Sequence, residues 1–284
     1  MKAKAATAMF FALGAGLVPP AYAEDSPDSA EPAHQVTANI ALVSDYRFRG
    51  VSQSFNEPAV QGGFDYSHDS GFYVGTWASS VSNNLYLNGG GMEWDFYGGF
   101  KLTPLDSLIL DLGVIHYYYP GAHYNDASST DYDTTELYVA IGYEWLTVKY
   151  SQALSDYFGT NEDTYGGYAP VIDRHGNVDA GQALPADRGD SKGSGYVELN
   201  ASFDVAENTT LGLHAGHLAV KNYGELSYTD YKLSLARDFG WATVGLAAIA
   251  SDADAKWYRY CESNGRHCEN PVEDALVLSV GRSL

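Results

Sequence analysis

The chain has few charges and few basic residues, and beyond its N-terminus it has no long apolar run. Only 18% of its 284 residues are charged, and 16 Lys and Arg stand against 36 Asp and Glu. A formal net charge of −20 argues against nucleic acid as a partner. No later segment approaches the ~20 apolar residues of a membrane helix. The 23 tyrosines and 30 glycines that it does have favour strands and turns, and so an all-β protein.

Cysteine is almost absent, and the two that occur, Cys261 and Cys268, are separated by six residues. In an exported protein, a close pair of this kind predicts a disulfide, with two free thiols as the alternative. One pair supplies too few ligands for a zinc site. We therefore expect neither a metal nor a cofactor.

The N-terminus has the pattern of a cleaved signal peptide covering residues 1–23. Lys2 and Lys4 precede the apolar run "AATAMFFALGAGLV", and the small residues of "AYA" end at position 23. A membrane anchor is the alternative, but the run is short for one. Residues 24–35 are polar and predict a flexible tail, which leaves 36–284 for the folded domain.

Residues 92–102, "MEWDFYGGFKL", alternate apolar and polar side chains with the period of a β-strand. Trp94 and Phe96 fall on one face, and Glu93 and Asp95 fall on the other. Twelve such segments occur, each about 9 to 12 residues long, which is the length that a tilted strand needs to cross a bilayer. They start near residues 36, 59, 72, 91, 107, 134, 146, 195, 210, 228, 241 and 273.

The connections between these segments alternate strictly between long and short. This pattern predicts an up-and-down antiparallel meander, with both chain ends on the side of the short turns. Bacterial outer-membrane barrels have short periplasmic turns and long external loops. Aromatic residues should form their rims, with Tyr46 and Phe48 at the long-loop rim and Trp145 at the short-turn rim. We predict a twelve-stranded transmembrane β-barrel with periplasmic termini; a secreted β-sandwich is the alternative.

Several motifs resemble, in order, those of the TorF family of bacterial porins, long described only as proteins of unknown function. They include "SDYRFRGVSQS" (44–54), "EWDFYGG" (93–99), "SKGSGYVELN" (191–200) and "DYKLSLARDFG" (230–240). The resemblance implies an outer-membrane barrel with a channel role, and it leaves the solute open. The partners then expected are outer-membrane lipid and lipopolysaccharide, the barrel-assembly machinery, and ions or small hydrophilic solutes.

Strand parity assigns fourteen charged side chains to the interior of the barrel. In a passage, their excess of acids should favour cations. The alternative is that acids and bases pair and plug the lumen, since twelve strands lie between filled and open barrels. The arginines near the external mouth could bind an anionic solute or brace nearby acids. The predicted lumen residues are Asp45, Arg47, Arg49, Asp65, Glu93, Asp95, Lys101, Asp111, Glu136, Glu144, Lys149, Glu198, Asp230 and Lys232.

We predict no catalytic residues. An outer-membrane lipase is the enzymatic alternative, and it needs a serine and a histidine together. The candidates His116, His214 and His217 are not accompanied by a GxSxG motif. The connection over residues 153–194 is too long to be idle, and we expect it either to fold inward as a constriction or to cover the outside.

Overall fold

A computed structural model of the chain describes residues 33–125, 127–165, 171–172, 178–179, 188–261 and 268–284. The predicted signal peptide and nearly all of the predicted tail lie outside these residues. Among the described residues, no helix is long and apolar enough to cross a membrane.

Twelve antiparallel strands form a single closed barrel. Each strand pairs with its neighbours in sequence, and the first also pairs with the last, so that Ala41 lies opposite both Gln61 and Gly281. The strands are β1 (His34–Val43), β2 (Ala59–His68), β3 (Phe72–Ser80), β4 (Met92–Leu105), β5 (Leu108–Tyr118), β6 (Thr134–Tyr143), β7 (Leu146–Ala153), β8 (Gly195–Ala206), β9 (Thr209–Ala219), β10 (Tyr228–Asp238), β11 (Thr243–Ser251) and β12 (Ala275–Ser283). The predicted closed antiparallel barrel of twelve strands is confirmed, and every predicted strand start lies within two residues of the observed one.

Short and long connections alternate around the barrel as predicted. Two-residue turns join β4 to β5 and β6 to β7, and they use positive φ at Ser107 (67°) and Glu144 (51°). Gly71, at the β2–β3 turn, has φ +94°, and a Cβ there would lie 2.0 Å from the carbonyl oxygen of Lys101. Only glycine fits this turn, because a side chain would break the adjacent strand pairing. The long connections are residues 44–58, 81–91, 119–133, 154–194, 220–227 and 252–274.

The barrel is apolar outside and polar inside. Trp94 and Phe96 on β4 are exposed, whereas Glu93 and Asp95 are each only 1% exposed. A sandwich would bury its apolar face, so this contrast excludes the sandwich alternative. Along β6 the outward residues are aliphatic through Ile141, and aromatic residues follow at the short-turn end with Tyr143 and Trp145, both exposed.

Short elements within the long connections complete the described fold. They are the strand pairs Arg47–Phe48 with Val51–Ser52, Val171–Ile172 with Val178–Asp179 and Tyr260–Cys261 with Cys268–Glu269, the 3-10 turns Tyr157–Gly159 and Gly224–Leu226, and the helix Ala255–Tyr258.

Candidate functional site

The barrel lumen contains most of the charges that strand parity assigned to it. Asp65, Glu93, Asp95, Lys101, Asp111, Glu136, Lys149, Glu198, Asp230 and Lys232 occupy inward positions of strands and are buried or half-buried. Glu144 does not belong with them: it is exposed, in the turn between β6 and β7. Its predicted position was wrong because the strand ends one residue earlier, at Tyr143.

The first long connection, residues 44–58, folds into the barrel, and we call it the inner loop. Tyr46 is 1% exposed and donates its hydroxyl to Glu93 Oε1 (3.2 Å), and its ring packs edge-on against Trp77. Phe48 packs against Tyr117 of β5, with ring centroids 5.5 Å apart. Both residues were predicted on the outer rim. That prediction fails because β1 ends at Val43 and the chain then turns inward.

The tip of the inner loop crosses the lumen. Arg49 binds the Glu136 carboxylate with both terminal nitrogens, at 2.9 and 2.7 Å, and donates to the Tyr157 hydroxyl at 3.2 Å. Its guanidinium also lies 4.2 Å from the ring centroid of Tyr196. Glu136 belongs to β6, Tyr157 to the long connection after β7, and Tyr196 to β8, so one arginine ties the loop to the opposite wall.

Arg47 is the second anchor of the inner loop. Its Nε donates to Asp45 at 2.5 Å, and Nη1 donates to the carbonyl oxygens of Pro271 (2.9 Å) and Glu273 (2.8 Å). Its Nη2 donates to the Asn56 side chain at 2.9 Å. Every nitrogen of this guanidinium is therefore engaged within the protein. The geometry fits the bracing interpretation of the arginines better than anion binding.

Two acids beside the inner loop have no cation paired with them among the described residues. Glu93 and Asp95 lie two positions apart on β4, which places both carboxyl groups on the inner face. Among the described residues, Glu93 Oε2 and both Asp95 oxygens have no hydrogen-bond partner. The neighbouring Glu136 is occupied by Arg49. The upper lumen, the half nearer the long connections, thus contains carboxyl groups without a paired cation.

The lower lumen, the half nearer the short turns, and the middle of the barrel contain ion pairs between strands. Lys101 lies 3.9 Å from Asp111, which also accepts the Tyr73 hydroxyl at 2.7 Å. Lys149 lies 3.6 Å from Glu198. The side chains of these four charged residues are 12–20% exposed, so they remain in partial contact with solvent.

His214 extends the polar network toward the upper lumen. Its Nε2 lies 2.9 Å from Asp230, and its Nδ1 lies 2.8 Å from Asn200 and 3.7 Å from Glu198. Tyr196 donates its hydroxyl to Asp230 at 2.9 Å. The described contacts of this histidine include no serine hydroxyl, so they do not assemble a serine–histidine pair.

The other two candidate histidines each lie within hydrogen-bond distance of a threonine hydroxyl. His116 lies 2.9 Å from the Thr135 hydroxyl, and His217 lies 3.1 Å from that of Thr229. Within the described ranges, no group of three or more His, Cys, Asp and Glu residues is arranged to hold a metal ion.

The long connection after β7 also enters the barrel in its described part. Tyr157 reaches Arg49, and the ring of Phe158 lies 5.8 Å from Phe48 and 5.4 Å from Tyr117. Of the two expectations for residues 153–194, the inward one holds for the segment around Tyr157. Most of residues 166–187 lie outside the described residues.

The two cysteines occupy facing positions in the last long connection. Cys261 and Cys268 are register partners of a short antiparallel strand pair. The Cys261–Cys268 bridge predicted from the sequence remains a proposal, and labelling tests it directly.

Residues 27–284 match the model of a protein family described as "Bacterial protein of unknown function (Gcw_chp)". The match spans the whole barrel and far more than half of the chain. The chain belongs to this family. Gcw_chp membership assigns no activity, because the description of the family gives none. No curated protein matches the chain.

Solved structures with a similar outline include bacterial porins. The KdgM porin in complex with disordered oligogalacturonate is 7% identical, with a TM-score of 0.47, and the match covers 87% of this chain and 96% of that one. The NanC porin is 10% identical, with a TM-score of 0.47 and coverage of 87% and 98%. An outer membrane channel from Pseudomonas putida F1 is 11% identical, with a TM-score of 0.43 and coverage of 92% and 99%. Likeness at this level carries no information about what this Gcw_chp chain binds.

Proposed function

We propose that the chain is an outer-membrane channel for ions or small hydrophilic solutes. The observation that carries the proposal is the polarity of the barrel: large apolar side chains are exposed around the outside, and charged side chains line the inside. In water, exposing Leu112, Val139 and Leu233 on one continuous surface is unfavourable, whereas lipid accepts it. Closure of the barrel pairs the backbone groups of every strand, as hydrocarbon requires.

The proposed orientation places both termini in the periplasm and the long connections outside the cell. Short turns on one side and long loops on the other are the usual asymmetry of such barrels. Delivery by a cleaved signal peptide and insertion by the barrel-assembly machinery follow from this location. Lipopolysaccharide and outer-membrane lipid are then the surroundings of the apolar belt. The TorF-like motifs support the same assignment.

We further propose a narrow passage that prefers cations. Of the fourteen charges predicted in the lumen, removal of Glu144 leaves eight acids and five bases, an excess of 8 − 5 = 3 acids. Four of the bases face an acid within 4 Å, namely Arg47, Arg49, Lys101 and Lys149. Fixed carboxylates in a narrow polar lumen raise the local concentration of cations and repel anions.

A plugged barrel with a structural or adhesive role is the second candidate, and a specific observation favours it. The inner loop fills the upper lumen, and Tyr46, Arg47, Glu93 and Glu136 are each no more than 2% exposed there. Such packing leaves little room for a hydrated ion unless the loop moves.

Single-channel recording with the purified protein in planar bilayers separates the two candidates. A channel gives discrete conductance steps whose size follows the salt concentration. The absence of steps at every voltage tested, with a known porin active in the same bilayers, would favour the plugged barrel. An ester-hydrolysis assay on the same preparation tests the lipase alternative.

A further inference from the structure

A chamber with aromatic walls lies against the inner loop on the side of the long connections. Its cavity volume is about 130 Å³, and it is partly open to solvent. Eight tyrosines and two phenylalanines are among the described residues that line it, and none of those lining residues is charged. This volume is close to the about 150 Å³ of a protein cavity that accepts benzene, and the lining is mostly apolar with a few polar groups, as in small-molecule sites. None of the described lining residues is among the predicted lumen charges.

One wall residue, Tyr132, has an unsatisfied polar group. The residue is 3% exposed, and its hydroxyl donates to no acceptor among the described residues. Neighbouring tyrosines are satisfied: Tyr124 donates to the carbonyl oxygen of Phe158 at 3.1 Å, and Tyr258 donates to that of Leu226 at 2.5 Å. Burial raises the pKa of Tyr132, and the backbone N–H of Leu87 lowers it in part, so the hydroxyl keeps its proton and can donate. A buried hydroxyl proton without an acceptor is costly, and a bound oxygen atom would accept it.

The chemistry of the walls selects the class of ligand. Tyrosine and phenylalanine rings offer faces and edges to another ring. A sugar needs partners for many hydroxyl groups, but the nearby polar side chains are occupied: Ser52 donates to Asp45, and Gln53 accepts from Tyr86. A carboxylate or an ammonium ion would lose its hydration without gaining an opposite charge from the described walls.

We propose that this chamber is a binding site for a small neutral aromatic molecule with one hydroxyl group, of the phenol type. The ring stacks among the tyrosines, and the hydroxyl group pairs with that of Tyr132. Binding does not require an open passage, so this inference stands apart from the proposed channel function.

Fluorine NMR of the full-length protein in detergent micelles tests the proposal with three probes of similar size. These probes are para-fluorophenol, fluorobenzene and para-fluorobenzoate, and empty micelles correct for partitioning. We expect saturable binding of para-fluorophenol, weaker binding of fluorobenzene because it lacks the hydroxyl group, and no saturable binding of para-fluorobenzoate. The Tyr132→Phe variant should bind para-fluorophenol about fivefold or more weakly than the wild-type protein. Its affinity for para-fluorophenol should be close to its affinity for fluorobenzene.

Matched variants distinguish binding in the chamber from non-specific hydrophobic binding. Tyr138→Phe is the control, because Tyr138 lies in the lower lumen, where its hydroxyl pairs with that of Tyr73 at 2.5 Å. Val51→Phe adds bulk from the inner loop into the chamber and should reduce binding of para-fluorophenol without changing the heat-dependent gel shift of the barrel. The proposal is overturned if para-fluorophenol binds no better than to empty micelles, if para-fluorobenzoate binds equally well, or if Tyr132→Phe and Tyr138→Phe behave alike.

Discussion

Arg49 and Glu136 are joined across the barrel by two parallel hydrogen bonds, of 2.9 and 2.7 Å, although 87 positions separate them in the chain. Both side chains are buried, at 6% and 2% exposure. Bidentate pairing fixes direction as well as distance, so it holds the tip of the inner loop against β6. This contact holds the inner loop, which fills the upper lumen, against β6. The loop must separate from β6 for the upper lumen to open.

Glu136→Gln should loosen the inner loop and raise conductance. The variant leaves the Arg49 guanidinium buried without its counter-charge, and breaking a buried pair in this way typically costs about 3 to 5 kcal/mol. The strands pair through their backbones, so the barrel itself should persist. Single-channel conductance, and protease sensitivity of residues 44–58, measure the effect.

The matched control is Glu225→Gln. Glu225 forms a comparable bidentate pair with Arg188, at 2.9 and 3.0 Å, but in connections outside the lumen. If both variants leave conductance unchanged, or both raise it equally, the Arg49–Glu136 pair does not hold the constriction.

Gly50→Ala should displace the inner loop by steric conflict. Gly50 has φ +81°, and a Cβ at this position would lie 2.8 Å from the Cβ of Asp230. Gly240→Ala is the comparison, because Gly240 has nearly the same φ, +79°, with no atom near its missing Cβ. Both variants carry the backbone strain, of the order of 1 kcal/mol. Only Gly50→Ala should also increase conductance and loop proteolysis; equal behaviour would mean that strain alone matters.

The strands could be predicted from the sequence because lipid and the lumen impose opposite demands on neighbouring residues. Trp94 and Glu93 alternate for that reason, and the loop lengths gave the order of the strands. The inner loop could not be placed in the same way. The alternation of β1 assigns Tyr46 and Phe48 to the outer face if it continues past the strand. These residues lie beyond Val43, where the strand ends.

The contacts that hold the inner loop also have no local signal in the sequence. Arg47 bonds to carbonyl oxygens of residues 271 and 273, more than 220 positions away. Such contacts depend on closure of the whole barrel. The fold and the list of inward charges were therefore predictable, whereas the pairing among those charges was not. Tyr157 and Tyr132 were missed for the same reason, since both lie in connections without periodicity.

We predict that the protein fractionates with the outer membrane and changes its migration on a gel after boiling. A closed barrel resists detergent because no strand edge is exposed, and it unfolds only on heating. Membrane fractionation with antibody detection, and gels of heated and unheated samples, provide the test. Recovery of the protein in the soluble periplasmic fraction would contradict the membrane barrel.

A Cys261–Cys268 disulfide should stabilise the last long connection without being needed for the barrel. Closing so short a loop contributes about 2 to 3 kcal/mol by chain-entropy estimates, less any strain. Replacing both cysteines by serine should increase proteolysis within residues 252–274 and leave the heat-dependent gel shift intact. Maleimide labelling of the unreduced protein is the direct measurement. Labelling of both thiols before reduction would show that the bridge is absent.

The last prediction concerns ion selectivity and the two acids without a paired cation. Glu93 and Asp95 lie beside the inner loop, whereas Asp111 is already opposed by Lys101 at 3.9 Å. Neutralising Glu93, Asp95 and Asp111 together, as amides, should move the reversal potential in a salt gradient toward zero.

Burial without a counter-charge favours the protonated forms of Glu93 and Asp95, so the Glu93→Gln and Asp95→Asn pair should contribute to that shift mainly at alkaline pH. Asp111→Asn alone should contribute little, because Lys101 opposes Asp111. The cation preference should also weaken as salt rises, since the screening length falls from about 10 Å at 0.1 M to about 3 Å at 1 M. An anion-selective wild-type protein would refute the acidic-lumen hypothesis, and selectivity would then be set by Arg47 and Arg49. A cation-selective protein whose reversal potential is unchanged in the Glu93 and Asp95 variants would place the selective charges elsewhere in the lumen, with Asp65 and Asp230 as the remaining acids to test.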